Sequence, residues 1–294
     1  MNKTERLTRE LLSLYDGIMQ NEENLPEWAV RKRQQPAERV KCTIPFVGKK
    51  YSLQKNKILV YASAENLSGY YLGNDKEWKG DWLDNDIQAT NRHRFCFECT
   101  NLQGPFFPHV HLQPMNNGCL STAVYYIANK LLNISSTSPR DFYETIAFGN
   151  YGKFSVETAF QRSMRLGATI NKEKSNIDYA KKADLLKASH DFIRADINVL
   201  SPNYIILPST IYQRDKTFID SIKGDSVIIP IYQMNAGVIN RHISKRFPPY
   251  ETDALPKSVR LWYDALEQDG MTGKSKNHYL SVFSYLNLFS ECYF

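Results

Sequence analysis

Four short apolar runs, each followed at once by polar residues, constrain most strongly what this chain can fold into. They cover residues 57–62, 146–148, 204–207 and 227–231. Stretches with helical patterning separate the runs, and this alternation predicts an α/β fold built on a parallel sheet. Ligands bind such sheets at the carboxyl ends of the strands, so the polar residues after each run are the first candidates for a functional site.

The composition supports a folded protein that suits a nucleic-acid partner. Hydrophobic residues make up 42% of the 294 residues, enough for a sizeable core. The net charge of +6 is compatible with a polyanionic partner, and the 18 Tyr and 15 Phe suit stacking on bases. We find neither a long apolar span nor an apolar leader, so we expect no membrane segment and a cytoplasmic location where the five cysteines stay reduced.

The patterning also divides the chain into three predicted regions. The first combines an amphipathic helix with a basic wrapping segment, which either contacts DNA or is a solvated charge run. The second is the α/β core, and the third is a helical extension packed on that core. In order, these regions are residues 1–50, 51–247 and 248–294. Apart from a mixed apolar segment near the end, helices are predicted over residues 4–20, 120–132, 156–168, 179–198, 214–222 and 256–270.

Several common catalytic motifs are missing from the sequence. It contains no GxxxxGK[ST] phosphate loop, no GxGxxG after the first strand and no GxSxG elbow. These absences disfavour nucleotide hydrolysis, dinucleotide binding and serine-hydrolase chemistry. Cys96 and Cys99, with His93 or Cys119, have the spacing of half a zinc site, but no second pair completes it. We therefore predict no metal and no cofactor.

A proline-rich loop displays two aromatic rings ahead of a predicted helix. Phe106 and Phe107 lie between Pro105 and Pro108, which limit the freedom of the backbone. A ring held in this way can stack on a planar base. The alternative is that one of the two rings packs into the core.

The strand ends supply a carboxylate and several amides. Glu65 follows the first strand and is suited to stabilise positive charge on a sugar and to orient water, with Asn66 as the alternative residue for the water. The amides of Asn150, Gln233 and Asn235 can each donate to and accept from the edge of an exposed base. Each Asn could instead serve as a turn or capping residue.

The order of these parts resembles the uracil-DNA glycosylase superfamily over about residues 55–245. The similarity is greatest over residues 104–132, where a Gly-Pro-Phe loop leads into a helix, and over 146–153, which match a strand–Asn–x–x–Lys pattern. The resemblance implies a three-layer α/β/α sandwich around a central, mainly parallel four-stranded sheet. It also implies a base flipped out of DNA, stacked on Phe106 or Phe107 and read by Asn150.

Two departures from the family's pattern bear on the substrate. The first-strand motif has no Gly-x-x-Pro, and Gln233 stands where the family has a His. The resemblance therefore implies a glycosylase that acts as a monomer on a modified or non-uracil base in DNA, leaving an abasic site, with anti-phage defence as a setting. Contacts to DNA are expected from Lys153, Arg241, His242 and Lys245.

Two other functions stay open on the sequence alone. The first is a nucleic-acid-binding module that keeps the fold without catalysis. The second is an unrelated α/β enzyme that acts on free nucleosides, similar to a nucleoside deoxyribosyltransferase.

Overall fold

The computed structural model describes residues 3–21, 44–66, 118–132, 142, 144–156, 186–234, 238–268 and 279–288. Its strands are β1 (Phe46–Val47), β2 (Ile58–Asn66), β3 (Ala147–Val156), β4 (Tyr204–Pro208) and β5 (Val227–Ile231). Its main helices are α1 (Lys3–Gln20), α2 (Gly118–Leu131), α3 (His190–Leu200), α4 (Ser209–Ile222), α5 (Lys257–Gln268) and α6 (279–288).

The described strands form one five-stranded sheet in the order β1-β3-β2-β4-β5. The four strands predicted from the apolar runs are mutually parallel, and the predicted α/β class is confirmed. The count of four strands was one too low, because β1 pairs antiparallel with β3, placing Phe46 opposite Phe148. This strand lies in the segment that we expected to wrap around the core as a loop, and its two residues are too few to show an alternating pattern.

β2 and β3 are longer than predicted because they continue to pair with each other beyond the end of β4. Ala64 lies opposite Gly152 and Asn66 opposite Val156, with an irregularity in the register between them. The polar residues at 63–66 and 149–153 therefore belong to strands, where we had expected loops. Likewise α4 begins directly after β4, so the predicted loop at Pro208 is absent.

Alternating residues of the strands face two separate hydrophobic clusters, one on each side of the sheet. On the first face, residues such as Ile58 and Val60 pack with α2, α5 and α6. On the second face, Leu59 and Tyr61 pack with α1, α3 and α4. Helices thus cover both faces of the sheet, as expected for parallel strands that are buried on both sides.

The predicted helices at 4–20, 120–132 and 256–270 are confirmed as α1, α2 and α5. The expected helix at 179–198 is interrupted by a turn at 188–189, and α3 starts after it at His190. α3 ends where Ser201 adopts a left-handed conformation, with φ of 44°, ahead of Pro202. Val156, the first residue of the helix predicted at 156–168, ends β3, and the rest of that helix lies outside the described residues. None of the described helices is long and apolar enough to cross a membrane.

Candidate functional site

The strand order defines a topological switch point at the carboxyl edge of the sheet. The connection that leaves β2 leads to one side of the sheet, whereas the connection that leaves β4 leads to the other. Ligands bind to parallel sheets at such a switch point, which here lies between the ends of β2 and β4. Glu65 and Asn66 are the last two residues of β2, so their backbone lies at this edge.

Asn150 lies on the strand next to that motif. It pairs with Ala62 of β2, and its side chain is only 5% exposed. Because Ile146 and Phe148 belong to the first-face cluster, the alternation of β3 places Asn150 on the same face as α2. A helix between two parallel strands must run back along the sheet, so α2 begins at the carboxyl edge, next to this face. Phe106 and Phe107 precede α2 in the chain and lie outside the described residues.

Gln233 lies at the same edge but at the other side of the sheet. It follows β5 and is partly buried. Three strand spacings separate β3 from β5, which corresponds to about 14 Å at roughly 4.8 Å per strand. Asn150 and Gln233 therefore contact one base only if the segment after β5 brings Gln233 back across β4. Asn235 lies outside the described residues.

Three of the residues predicted to bind DNA are presented together on the surface. Arg241, His242 and Lys245 are exposed in a short helical segment after β5, and we call them the basic surface. Ile239 and Ile243 of the same segment are buried in the first-face cluster. These two side chains hold the segment against the core, so the three charged side chains lie on its exposed side.

Lys153 is not available to DNA in this structure. Its side chain is fully buried on the second face and forms an ion pair with the equally buried carboxylate of Asp196 in α3. Side chains of β3 alternate between the two faces of the sheet, so Lys153 points to the face opposite that of Asn150, which the prediction did not take into account. A buried and paired ammonium cannot reach a phosphate, so the predicted DNA contact by Lys153 is withdrawn.

Asp196 is the centre of a closed polar cluster beneath α1. Tyr15 donates a hydrogen bond of 2.6 Å to Asp196 Oδ1, and Tyr61 donates one of 2.8 Å to Oδ2. The Lys153 ammonium also lies 5.6 and 5.1 Å from the centroids of these two rings. Burial raises the pKa of the Asp196 carboxyl, and the Lys153 charge opposes that shift. The cluster ties α1, the sheet and α3 together.

A second polar group lies beside this cluster and reaches solvent. Tyr151 Oη donates a hydrogen bond of 2.5 Å to Asp215 Oδ2. His190 Nε2 lies 2.9 Å from Asp215 Oδ2 and 3.1 Å from Oδ1. The His190 and Asp215 side chains are 23% and 12% exposed. We call these three residues the His190 site.

The fold places the His190 site on the second face of the sheet, beside Tyr151 of β3. Ser189 accepts a hydrogen bond of 3.0 Å from the Lys153 backbone, which sets the start of α3 beside β3. Asp215 lies at a kink of α4, with φ of −116° and ψ of 21°, and α4 continues directly from β4. Tyr151 and Asn150 are consecutive residues of β3, so their side chains, and with them the His190 site and Asn150, lie on opposite faces of the sheet.

The sequence analysis predicted neither the Asp196 cluster nor the His190 site, although the sequence around Asp196 contains a pattern that indicates a buried partner. Asp196 occupies the apolar stripe of α3, where Phe192, Ile193 and Leu200 are its helical neighbours and are all buried. An acidic residue within an apolar stripe indicates a buried partner, because an unpaired buried charge is very costly. The His190 site had no such signal, since its members come from three separate elements.

Within the described part of the chain, no cluster of three or more His, Cys, Asp or Glu side chains could hold a metal ion. Cys96, Cys99 and His93 lie outside that part. Comparison with protein-family models, curated proteins and solved structures found no significant match.

Proposed function

We propose that this chain is a DNA glycosylase that hydrolyses the N-glycosidic bond of a flipped, non-uracil base and leaves an abasic site. One observation carries the proposal. Glu65 and Asn66 end β2, and the buried Asn150 lies on the adjacent parallel strand, where it pairs with Ala62, three residues before Glu65. A carboxylate and an amide are thus contributed by neighbouring strands, and we propose that the amide reads the base.

The chemistry of these groups suits the reaction. Cleavage of the glycosidic bond builds positive charge on the sugar, which the Glu65 carboxylate stabilises, with Glu65 or Asn66 orienting the water. The Asn150 amide both donates to and accepts from the edge of the base. Phe106 or Phe107 stacks on the base, and their position ahead of α2 leads the chain to the face of Asn150.

The fold and the surface charge add support. Four parallel strands with helices on both faces agree with a three-layer sandwich similar to the uracil-DNA glycosylases. The basic surface of Arg241, His242 and Lys245 is exposed on a segment anchored by Ile239 and Ile243, and the chain carries a net charge of +6. We assign phosphate contacts to these three side chains.

The test is abasic-site formation on single- and double-stranded oligonucleotides that each carry one of a panel of modified bases. Replacing Glu65 by Gln keeps the shape and removes the charge, so the single-turnover rate should fall by about 100-fold or more while DNA affinity is kept. The matched control is Glu251→Gln, because Glu251 is exposed on the segment before α5.

Three results would separate the proposal from its alternatives. DNA binding without abasic-site formation on any base would indicate a binding module. Activity on free nucleosides but not on DNA would indicate the nucleoside-processing enzyme. Full activity of both Glu65→Gln and Asn66→Ala would remove the catalytic role from the end of β2.

A further inference from the structure

We propose that this chain binds its DNA as a single strand, and that an unpaired base next to the flipped nucleotide stacks on Tyr232. The inference rests on the proposed glycosylase function and names its substrate class. It follows from three neighbouring rings, Tyr232, Phe247 and Tyr285, which we call the aromatic patch, and from the basic surface that adjoins them.

Tyr285 of α6 is the central ring of the aromatic patch. It stacks on Tyr232, with 4.9 Å between the ring centroids and 25° between the planes. It meets Phe247 edge-on, with 5.2 Å between the centroids and 63° between the planes. Its hydroxyl also accepts a hydrogen bond of 3.2 Å from the backbone N–H of Tyr232. Because Tyr285 is only 8% exposed, it supports the other two rings and offers little surface of its own.

The other two rings of the patch are half-buried, so Tyr232 and Phe247 both reach the surface of the described residues. Tyr285 covers one face of the Tyr232 ring, and a base can therefore stack only on the opposite face. Stacking on an aromatic side chain tolerates every base, because each base has a π face. It requires a base that is not already paired and stacked within a duplex, which favours a single strand.

The basic surface is continuous with the aromatic patch. Phe247 directly follows the helical segment that carries the basic surface, and its backbone N–H donates a hydrogen bond of 2.9 Å to Ile243 O. Ile243 is buried in the first-face cluster, against which Tyr232 and Phe247 also pack. Cationic side chains for the backbone, next to rings for the bases, are the combination with which proteins bind single strands.

The aromatic patch shares the face of Asn150 but lies at another strand. Tyr232 follows the end of β5 and packs against the first-face cluster. Three strand spacings separate β3 from β5, about 14 Å at roughly 4.8 Å per strand, and a single base does not span that distance. A base at Asn150 and a base on Tyr232 therefore belong to different nucleotides. Both are available together only where the DNA around the target is unpaired.

The test measures the binding of unmodified DNA by the full chain, so it does not depend on cleavage. Fluorescence anisotropy gives the affinity for a single-stranded oligonucleotide and for the same sequence as a duplex. Tyr232→Leu keeps an apolar side chain but removes the aromatic face, so the affinity for the single strand should fall by about 5-fold or more, with the affinity for the duplex unchanged. The salt dependence of binding should also be unchanged, because no phosphate contact is lost. Tyr232→Phe keeps the ring and should keep the affinity.

Tyr204→Leu is the matched control for this substitution. Tyr204 is half-buried against the same first-face cluster, but it begins β4 and so lies at the opposite edge of the sheet. Photocrosslinking adds a measurement on the unchanged chain, so it does not depend on the folding of a variant. A single strand that carries 5-iododeoxyuridine should cross-link to Tyr232, and peptide mass spectrometry locates the modified residue.

Four results would overturn the inference. The first is an unchanged affinity of Tyr232→Leu for the single strand, and the second is an equal loss in Tyr204→Leu. The third is an equal loss for the duplex, and the fourth is a cross-linked sample in which Tyr232 is unlabelled. Tighter binding of RNA of the same sequence would reassign the surface to RNA and overturn the assignment to DNA.

The same measurements separate this inference from the proposed function. The expected loss in Tyr232→Leu, in a chain that forms no abasic site on any base, would support the stacking surface and refute the glycosylase alone. Abasic-site formation with unchanged binding by Tyr232→Leu would refute the stacking surface and leave the glycosylase.

Discussion

Breaking the buried Lys153–Asp196 pair from either side should destabilise the fold, and by unequal amounts. Both side chains are fully buried, and removal of one partner of such a pair costs about 3–5 kcal/mol because the other charge stays behind. Lys153→Met leaves a carboxylate that still accepts hydrogen bonds from Tyr15 and Tyr61. We therefore expect Lys153→Met to lower the free energy of unfolding by an amount near the lower figure, about 3 kcal/mol.

Asp196→Leu is expected to lower the free energy of unfolding by an amount near the upper figure, about 5 kcal/mol. It leaves a buried ammonium whose described partners are the faces of Tyr15 and Tyr61, and both hydroxyls of those rings lose their acceptor. The double variant of Lys153→Met and Asp196→Leu removes both charges. It should be more stable than Asp196→Leu alone, because no unpaired ion remains in the core.

Urea unfolding followed by circular dichroism measures these differences as shifts of the midpoint at constant slope. Lys216→Met is the matched control, because its ion pair with Asp220 is exposed and should contribute little. The reasoning would be refuted if Asp196→Leu cost less than Lys153→Met. It would also be refuted if the two substitutions were additive in the double variant.

Three further predictions concern other parts of the molecule. Burial, followed by the charge of Asp196, raises the pKa of Tyr61 well above its usual value. The phenol of this tyrosine therefore ionises at a lower pH in the unfolded chain than in the folded one. The free energy of unfolding should then fall above pH 10 by about 1.4 kcal/mol per pH unit for each such tyrosine. Absorbance at 295 nm measures the ionisation, and circular dichroism measures the unfolding that accompanies it. A Cβ at Gly149 would lie 3.3 Å from two side-chain carbons of Pro45, so Gly149→Ala should cost about 1 kcal/mol in urea unfolding. Gly17→Ala, with nothing within 4 Å, should instead stabilise α1. Each Ala substitution of Arg241 or Lys245 in the basic surface should reduce the salt dependence of DNA binding by about one unit. An unchanged slope would place the DNA contact elsewhere.

Local patterning was enough to predict the parallel part of the sheet and several helices. A short apolar run such as residues 204–207 is typical of a strand that is buried on both faces. An amphipathic stretch such as residues 4–20 is typical of a helix that buries one face. The same patterning predicted that Glu65 and Asn150 would lie at one edge. The two residues do lie on adjacent strands, but Asn150 pairs with Ala62 and lies six residues before the end of β3. This inference needed no knowledge of which helix covers which face.

Only the tertiary structure decided which polar residues are buried and which meet each other. Lys153 was predicted to contact DNA, but β3 continues beyond β4 and the Lys153 side chain is buried in the core, where it pairs with Asp196 of α3. His190 and Asp215 lie on two helices that pack side by side on the second face of the sheet. Strand order depends on long-range packing, and local periodicity carries no information about it, so the His190 site was visible only once the chain had folded.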